Sequence, residues 1–319
     1  MNNILSKVST AKKIAIAGHV RPDGDCIGSC MAMCNYLMKK YPDKQVDVYL
    51  ESIPDCFRFI PNVSLVKENY QDMVRYDVFV SLDCGDVERL GKAGQYFSSA
   101  KHSINIDHHI SNTLFADVNY VLPDASSTCE TLYGLLEETM IDLDIATCLY
   151  TGIVHDTGVF KHSNTSEHTM VVAGKLIRKG VPFSKIIDES FYQKTYLQNR
   201  ILGQCLIDSK LYLEQQCIVS VLRKETMDSY HVTKQDLEGI IVQLRITEGV
   251  EVAIFLHEMD VDEYKVSMRA KTCVDVSQIA VSFGGGGHVR ASGCTMRGQA
   301  DEIVQKLVDC VGQQLQEQA

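Results

Sequence analysis

KKIAIAGHVRPDGDCIGSCMAMCNYLMKK, residues 12 to 40, decides the fold. After two lysines the run IAIAG is apolar throughout, the composition of a strand buried on both faces. From Cys26 onward apolar residues recur at three- and four-residue spacing, which predicts an amphipathic helix. Between the strand and the helix lie His19, Asp23 and Asp25. Two carboxylates two residues apart repel each other. A neighbouring imidazole relieves that repulsion only if something cationic sits among them.

Working outward, the same alternation continues. QVDVYL (45–50), YDVFVSLD (76–83) and HSINIDHH (102–109) read as further strands. CETLYGLLEETM (129–140), DIATCLYTGIVHD (144–156) and SEHTMVVAGKLIRKG (166–180) read as helices, the last started by Ser166 and ended by Gly180. Alternating strands and helices predict an α/β fold with a parallel sheet covered on both faces. Such sheets place functional groups beyond the carboxyl ends of their strands. Asp23 and Asp25 follow the first strand, Asp83 closes VFVSLD, and Asp107, His108 and His109 close SINIDHH. Asp156, at the end of a helix, supplies one more acid.

Residues 183–208 read as a helical connector between a first domain, 1–182, and a smaller α/β domain, 209–319. In the latter, KLYLEQQCIVSVLRK (210–224), VEVAIFLHEM (250–259) and DEYKVSMRAK (262–271) predict strands in antiparallel pairs. Three segments beginning at Gln235, Asp275 and Ala300 predict helices.

A net charge of -10 argues against coating long duplex nucleic acid through a broad basic face, but leaves room for small anions beside bound cations. No leader-like or membrane-spanning apolar run is read, so a cytoplasmic location is expected. The twelve cysteines form no CxxC pairs and sit among apolar neighbours, as buried thiols do. Cys26, Cys30 and Cys34 share one helical face and read as core. His155 reads either as a partner that supports the neighbouring ligands or, in slight preference, as a helix-end residue satisfied by backbone.

His19, Asp23, Asp25, Asp83, His108 and Asp156 together form a nitrogen-and-carboxylate donor set without thiolate. It suits a harder divalent ion, manganese first, with magnesium, cobalt or zinc as alternatives. Six such groups exceed the needs of one ion and match two, about 3.5–4 Å apart, sharing a bridging carboxylate and an activated water. A second stretch, SFGGGGHVRASGC (282–294), combines four glycines with His288 and Arg290. Four successive glycines read as backbone freed for a ligand and not as packing, so an anion-binding nest is expected. Arg269 offers a further phosphate contact.

These segments resemble the DHH phosphoesterase family. H19-V-R-P-D23-G-D25, L82-D83-C-G-D86, D107-H108-H109 and H155-D156-T157-G158 are similar to its four motifs, and GGGGH288-V-R290-A-S-G to the signature of the DHH-associated C-terminal domain. The two-domain length resembles the NrnA-like branch, which hydrolyses very short oligoribonucleotides (nanoRNA) and 3′-phosphoadenosine 5′-phosphate (pAp). The resemblance implies an active site in the cleft between the domains. It implies His19, Asp23 and Asp83 on one metal, Asp25, Asp83, His108 and Asp156 on a second, and His109 at the scissile phosphate. Arg269, Gly285, Gly286, Gly287, His288, Arg290 and Ser127, the last within ASSTCE (125–130), are implied on the substrate. His155 stands where the family carries a small hydroxyl residue. Expected partners are short RNA, pAp or dinucleotides; a homodimer is compatible with this. Alternatives are a dinucleotide phosphodiesterase acting on pApA or c-di-AMP, a family II pyrophosphatase, or a silenced nucleotide-binding regulator. No expected ligand is missing, which speaks against silencing.

Overall fold

The computed structural model describes residues 7–70 and 74–317. The chain divides into two compact units, Met1–Gln193 and Lys194–Ala319. Among the described residues, no helix is long and apolar enough to cross a membrane.

The first unit holds six parallel strands: β1 (Lys13–Ala17), β2 (Gln45–Tyr49), β3 (Val66–Lys67), β4 (Val78–Leu82), β5 (His102–Asp107) and β6 (Val118–Val121). Their order is β3-β2-β1-β4-β5-β6. Its helices are α1 (Gly24–Lys40), α2 (Gly94–Ser99), α3 (Thr128–Tyr133), α4 (Leu143–Asp156), α5 (Glu167–Arg178) and α6 (Phe183–Ile187). Ile14 and Ile16 of β1 pack with residues of α1, α3, α4 and α5. Ala15 and Ala17, on the opposite face, pack with Tyr49, Phe79, Leu90 and Tyr96. Burial on both sides explains why these strands read as continuous apolar runs. The strand order reverses between β1 and β4, so the acids after these two strands emerge side by side at the switch point.

Local signals agree with the helix ends. Asp23 caps α1, and Ser166 with Thr169 forms a capping box on α5. Gly180, at φ +97°, follows the end of α5. Two expectations were too long. The helix from Cys129 stops at Tyr133, and the helical span 183–208 is divided near Gln193, where the backbone turns extended. A Thr195–Gln198 capping box then opens the next helix.

The second unit has strands β7 (Lys210–Tyr212), β8 (Cys217–Leu222), β9 (Val252–Asp260), β10 (Glu263–Ala270), β11 (Gly286–His288) and β12 (Ala291–Arg297). Its helices are α7 (Tyr196–Ile207), α8 (Lys224–Tyr230), α9 (Ile240–Arg245), α10 (Val276–Ser282) and α11 (Ala300–Gln316). The sheet order is β11-β12-β10-β9-β8-β7. The expectation of antiparallel pairs fails at one place: β8 and β9 run parallel, because α8 and α9 form a crossover between them. Residues of α10 and α11 pack on one face and residues of α7 and α9 on the other.

Candidate metal centre

Three strand ends and one helix end converge on the switch point. Asp23 leaves β1 and caps α1, its Oδ1 accepting the N–H groups of Asp25 and Cys26 at 3.1 Å each. Asp25, in the first turn, is 1% exposed. Its two oxygens accept the N–H groups of Thr128 at 2.6 Å and Cys129 at 2.9 Å, so α3 presents its N-terminus to this carboxylate. Helix α4 approaches equally closely because residue 152 is glycine: a Cβ there would stand 2.5 Å from Asp25 Oδ1.

Asp83 follows β4 at φ +54°, a left-handed conformation that aspartate tolerates and that re-aims the carboxylate away from the strand direction. Its Oδ2 lies 3.4 Å from His19 Nε2 and its Oδ1 lies 3.8 Å from His108 Nε2. The two oxygens of one buried carboxylate therefore address two different imidazoles. His19 Nε2 is also 3.6 Å from Asp23, and His108 Nε2 is 3.1 Å from Asp156. Ligand atoms of Asp25, His108 and Asp156 lie within 4.8 Å of one another. The six residues read from sequence meet.

Both imidazoles are held through their far nitrogen. His19 Nδ1–H donates to the Val20 carbonyl at 2.9 Å and His108 Nδ1–H to the Ala125 carbonyl at 3.3 Å. A carbonyl only accepts, so Nε2 of each ring is the atom turned to the carboxylates, as in a metal-ligating histidine. The charges agree. Burial, with the Asp83 and Asp156 carboxylates close by, pushes Asp25 well up. Burial and the charges of Asp83 and Asp23, opposed by His108, push Asp156 up to about 6. Burial opposes charge on His19, yet hydrogen bonds to Asp23 and Asp83 outweigh it and push the ring up to about 11. Carboxylates resist ionising together while the imidazole among them gathers a proton. That field wants a cation.

His109 is directed differently. Its Nδ1 is 2.7 Å from Asp107 Oδ1, and the other Asp107 oxygen accepts Asn112 Nδ2 at 2.5 Å. The hydrogen bond to Asp107, against burial, raises the His109 ring above its ordinary value. Sequence reasoning placed Asp107 at the edge without giving it this role. It also missed Thr128, whose Oγ1 donates to Asp83 Oδ1 at 3.0 Å while its amide holds Asp25.

Other expectations need correcting. Ser127 is fully buried and its hydroxyl caps α3 by accepting Glu130 N–H at 3.0 Å, so the oxygen is committed to the fold. His155 is satisfied by a side chain and not by backbone. Its Nε2–H donates to Ser190 Oγ at 2.8 Å, it packs edge-on to Phe57, and burial holds it down to about 4. Cys26, Cys30 and Cys34 are core residues, although Cys26 also falls within 4.8 Å of the His19 and Asp83 donor atoms.

The glycine run lies in the second unit. Packing does account for two of its members: a Cβ at Gly285 would meet Gly293 O at 2.3 Å, and one at Gly287 would meet Ala291 O at 2.5 Å. Gly286–His288 and Ala291–Arg297 pair as an edge hairpin, so the run is partly strand. His288 and Arg269 both align with Ala291, placing them in one cross-strand row. Arg269 Nη1 donates to the Met268 carbonyl at 2.9 Å, and Arg290 Nη1 to the Val274 carbonyl at 2.8 Å.

Comparison with known proteins agrees with this geometry. Residues 13–153 match the model of the DHH family, N-terminal domain, and residues 214–315 match that of the DHHA1 domain. The bifunctional oligoribonuclease and PAP phosphatase NrnA of Thermus thermophilus is 30% identical over 95% of this chain and 90% of its own. The protein of the same name from Bacillus subtilis is 27% identical over 95% and 96%. A crystal structure of an exopolyphosphatase-related protein from Bacteroides fragilis aligns with a TM-score of 0.84 at 26% identity, covering 98% of this chain and 95% of that one. The motifs, the sheet that presents them and these full-length similarities have one reading: the chain belongs to the DHH family.

Proposed function

We propose that the protein hydrolyses phosphoester bonds in short oligoribonucleotides and in pAp, releasing nucleoside monophosphates. The relatives from Thermus thermophilus and Bacillus subtilis carry both activities in their names. The observation that carries the reading is Asp83, whose two oxygens face His19 at 3.4 Å and His108 at 3.8 Å, as a bridging carboxylate requires.

The donor set fits two divalent cations. His19, Asp23 and Asp83 would hold one; Asp25, Asp83, His108 and Asp156 would hold the other. Imidazole and carboxylate donors suit manganese best, then magnesium or cobalt. Bound there, the cations would neutralise the phosphate and acidify the attacking water. The protein's own groups do the rest. Asp107 engages His109 Nδ1, which leaves Nε2 to carry a proton to the departing oxygen. Arg269, His288, Arg290 and the Gly285–Gly287 backbone anchor a substrate phosphate.

A manganese-supplemented panel of pAp, pApA, c-di-AMP, a five-nucleotide RNA and pyrophosphate tests this, with product identification. Nucleoside monophosphates from the RNA and free phosphate from pAp are expected. Turnover of pyrophosphate alone would replace the reading by an anhydride hydrolase. Asp83→Ala should lose turnover and both cations together, measured by elemental analysis. A variant that keeps both would refute the bridging assignment.

A further inference from the structure

The chain leaves α4 through a conformation that few sequences tolerate. Gly158, Val159 and Phe160 follow one another at φ +54°, +59° and +62°, all left-handed. For valine, branched at Cβ, that region is unusual, and such backbone persists only where the surrounding structure over-determines it. Thr157 supplies part of the hold. Its Oγ1 accepts the Phe160 N–H at 3.0 Å, and its carbonyl accepts those of Lys161 and His162 at 2.9 Å each. The turn sends the chain back toward the helix it has just left, and it arrives at Asn164.

Asn164 Nδ2 donates to two carbonyls, that of Asp156 at 3.2 Å and that of Ser126 at 2.9 Å. Carbonyls only accept, so the amide nitrogen is the end that faces them. The opposite end, Oδ1, is buried and has no hydrogen-bond partner among the described residues. A small neutral side chain that must give two hydrogens to two acceptors is an amide; serine or threonine has one to give. The idle oxygen follows from that choice.

Each carbonyl leads to a different candidate ligand. One belongs to Asp156 itself. The other lies one residue past Ala125, whose carbonyl holds His108 Nδ1 at 3.3 Å. Across the centre, His108 Nε2 and Asp156 Oδ2 stand 3.1 Å apart. Ser126 is fixed from its other side as well. Glu130, only 5% exposed, accepts the Ser126 N–H at 3.2 Å, the Ser126 hydroxyl, and the Thr169 hydroxyl of α5 at 2.8 Å, all on Oε2. The segment that holds His108 is thus clamped to α3 and, through Asn164, tied to the end of α4. His19 and Asp23 need no such tie, since they are four residues apart on one stretch of chain. Nothing local sets the spacing of His108 and Asp156.

We infer that Asn164 is a positioning residue: by joining the Ser126 and Asp156 backbones it sets the distance between His108 and Asp156, and so the second cation position but not the first. This rests on the two-cation reading above. It deepens that reading by naming a group outside the donor set on which one of the two positions depends.

Titration calorimetry with manganese on the full chain tests it. Wild type should take up two cations. Asn164→Ala should weaken one of them about 10- to 100-fold, the range for losing a group that orients a ligand, and leave the other within about twofold. In an Asp156→Ala background, which keeps the 156 carbonyl but lacks the carboxylate, the same change should alter cation uptake no further. Asn119 provides a matched control. Its Nδ2 also donates to two carbonyls, of Leu114 at 3.2 Å and Ala116 at 2.7 Å, in a loop that carries none of the six donors. Asn119→Ala should lower the unfolding midpoint and keep both cations at wild-type affinity. Should Asn164→Ala fail to fold by circular dichroism, Asn164→Asp retains the shape, replaces the donors by an acceptor, and should lose the same cation. An Asn164 variant that binds both cations as wild type does, or weakens both equally, would overturn the inference and leave the two-cation reading standing. A wild-type protein that takes up fewer than two would overturn that reading, and this inference with it.

Discussion

The fully buried carboxylate of Asp107 grips His109 at 2.7 Å, and Asn112 grips the same carboxylate from the other side. The ring of His109 is thus fixed in rotation and in which nitrogen it offers outward. Asp107→Asn keeps the shape and removes the charge that favours the protonated ring. Turnover should fall by about 10²–10⁴, the range for losing an oriented acid–base group, while the cation content stays at the wild-type level. Loss of cations in that variant would mean that Asp107 supports the neighbouring His108 instead.

Thr128 holds two ligands at once, Asp25 through its amide and Asp83 through its hydroxyl. Thr128→Val deletes only the hydroxyl bond. Manganese affinity should drop about 10- to 100-fold, the usual effect of losing a group that orients a ligand. Thr128→Ser, which keeps the oxygen, should stay near wild type. Titration calorimetry with manganese separates the two.

Neighbouring glycines in the run should behave oppositely. A methyl at Gly285 collides with the backbone of β12, whereas one at Gly286 meets nothing within 4 Å. Gly285→Ala should therefore destabilise the fold by about 1–3 kcal/mol, read from urea unfolding. Gly286→Ala should leave the unfolding midpoint alone and raise KM if a phosphate rests on that backbone. A midpoint shift of equal size in both would contradict the hairpin packing.

Glu251, in the second unit, gives a pH dependence. Burial pushes its carboxyl up, but N–H groups of Thr272, Cys273 and Val274 and the Thr272 hydroxyl all donate to it and hold it below the ordinary 4.5. A folded-state value below the unfolded one adds stability above about pH 4.5. That contribution fades as pH falls through the folded value. Glu251→Gln should cost about 1–3 kcal/mol at pH 7. The gap to wild type should narrow in acid, because the wild-type carboxyl protonates too. Urea midpoints at pH 7 and near pH 3 measure it, and a gap that widens in acid would contradict the assignment.

The parts of this fold that sequence revealed are those governed by short-range pattern. IAIA, VFVSL and SINI announce buried strands, and each ends in the residues that line the centre. Strands β3 and β6 gave no such signal. β3 has only two residues, and all four residues of β6 are half-exposed, so neither carries a sustained apolar run. The break at Gln193 was readable in principle from the Thr195–Gln198 pair, a capping-box spacing inside what looked like one long helix. Thr128 was not readable, because it meets Asp25 across 103 residues and nothing local marks it. The glycine run misled for a related reason. Flexibility and close strand approach ask for the same residue, and only the neighbouring strand tells them apart.

The six converging side chains all come from positions 19 to 156. A ribosome therefore delivers every one of them before it reaches Lys194. Translation order separates the two tasks in time, and a chain interrupted after Gln193 already holds its whole complement of candidate ligands.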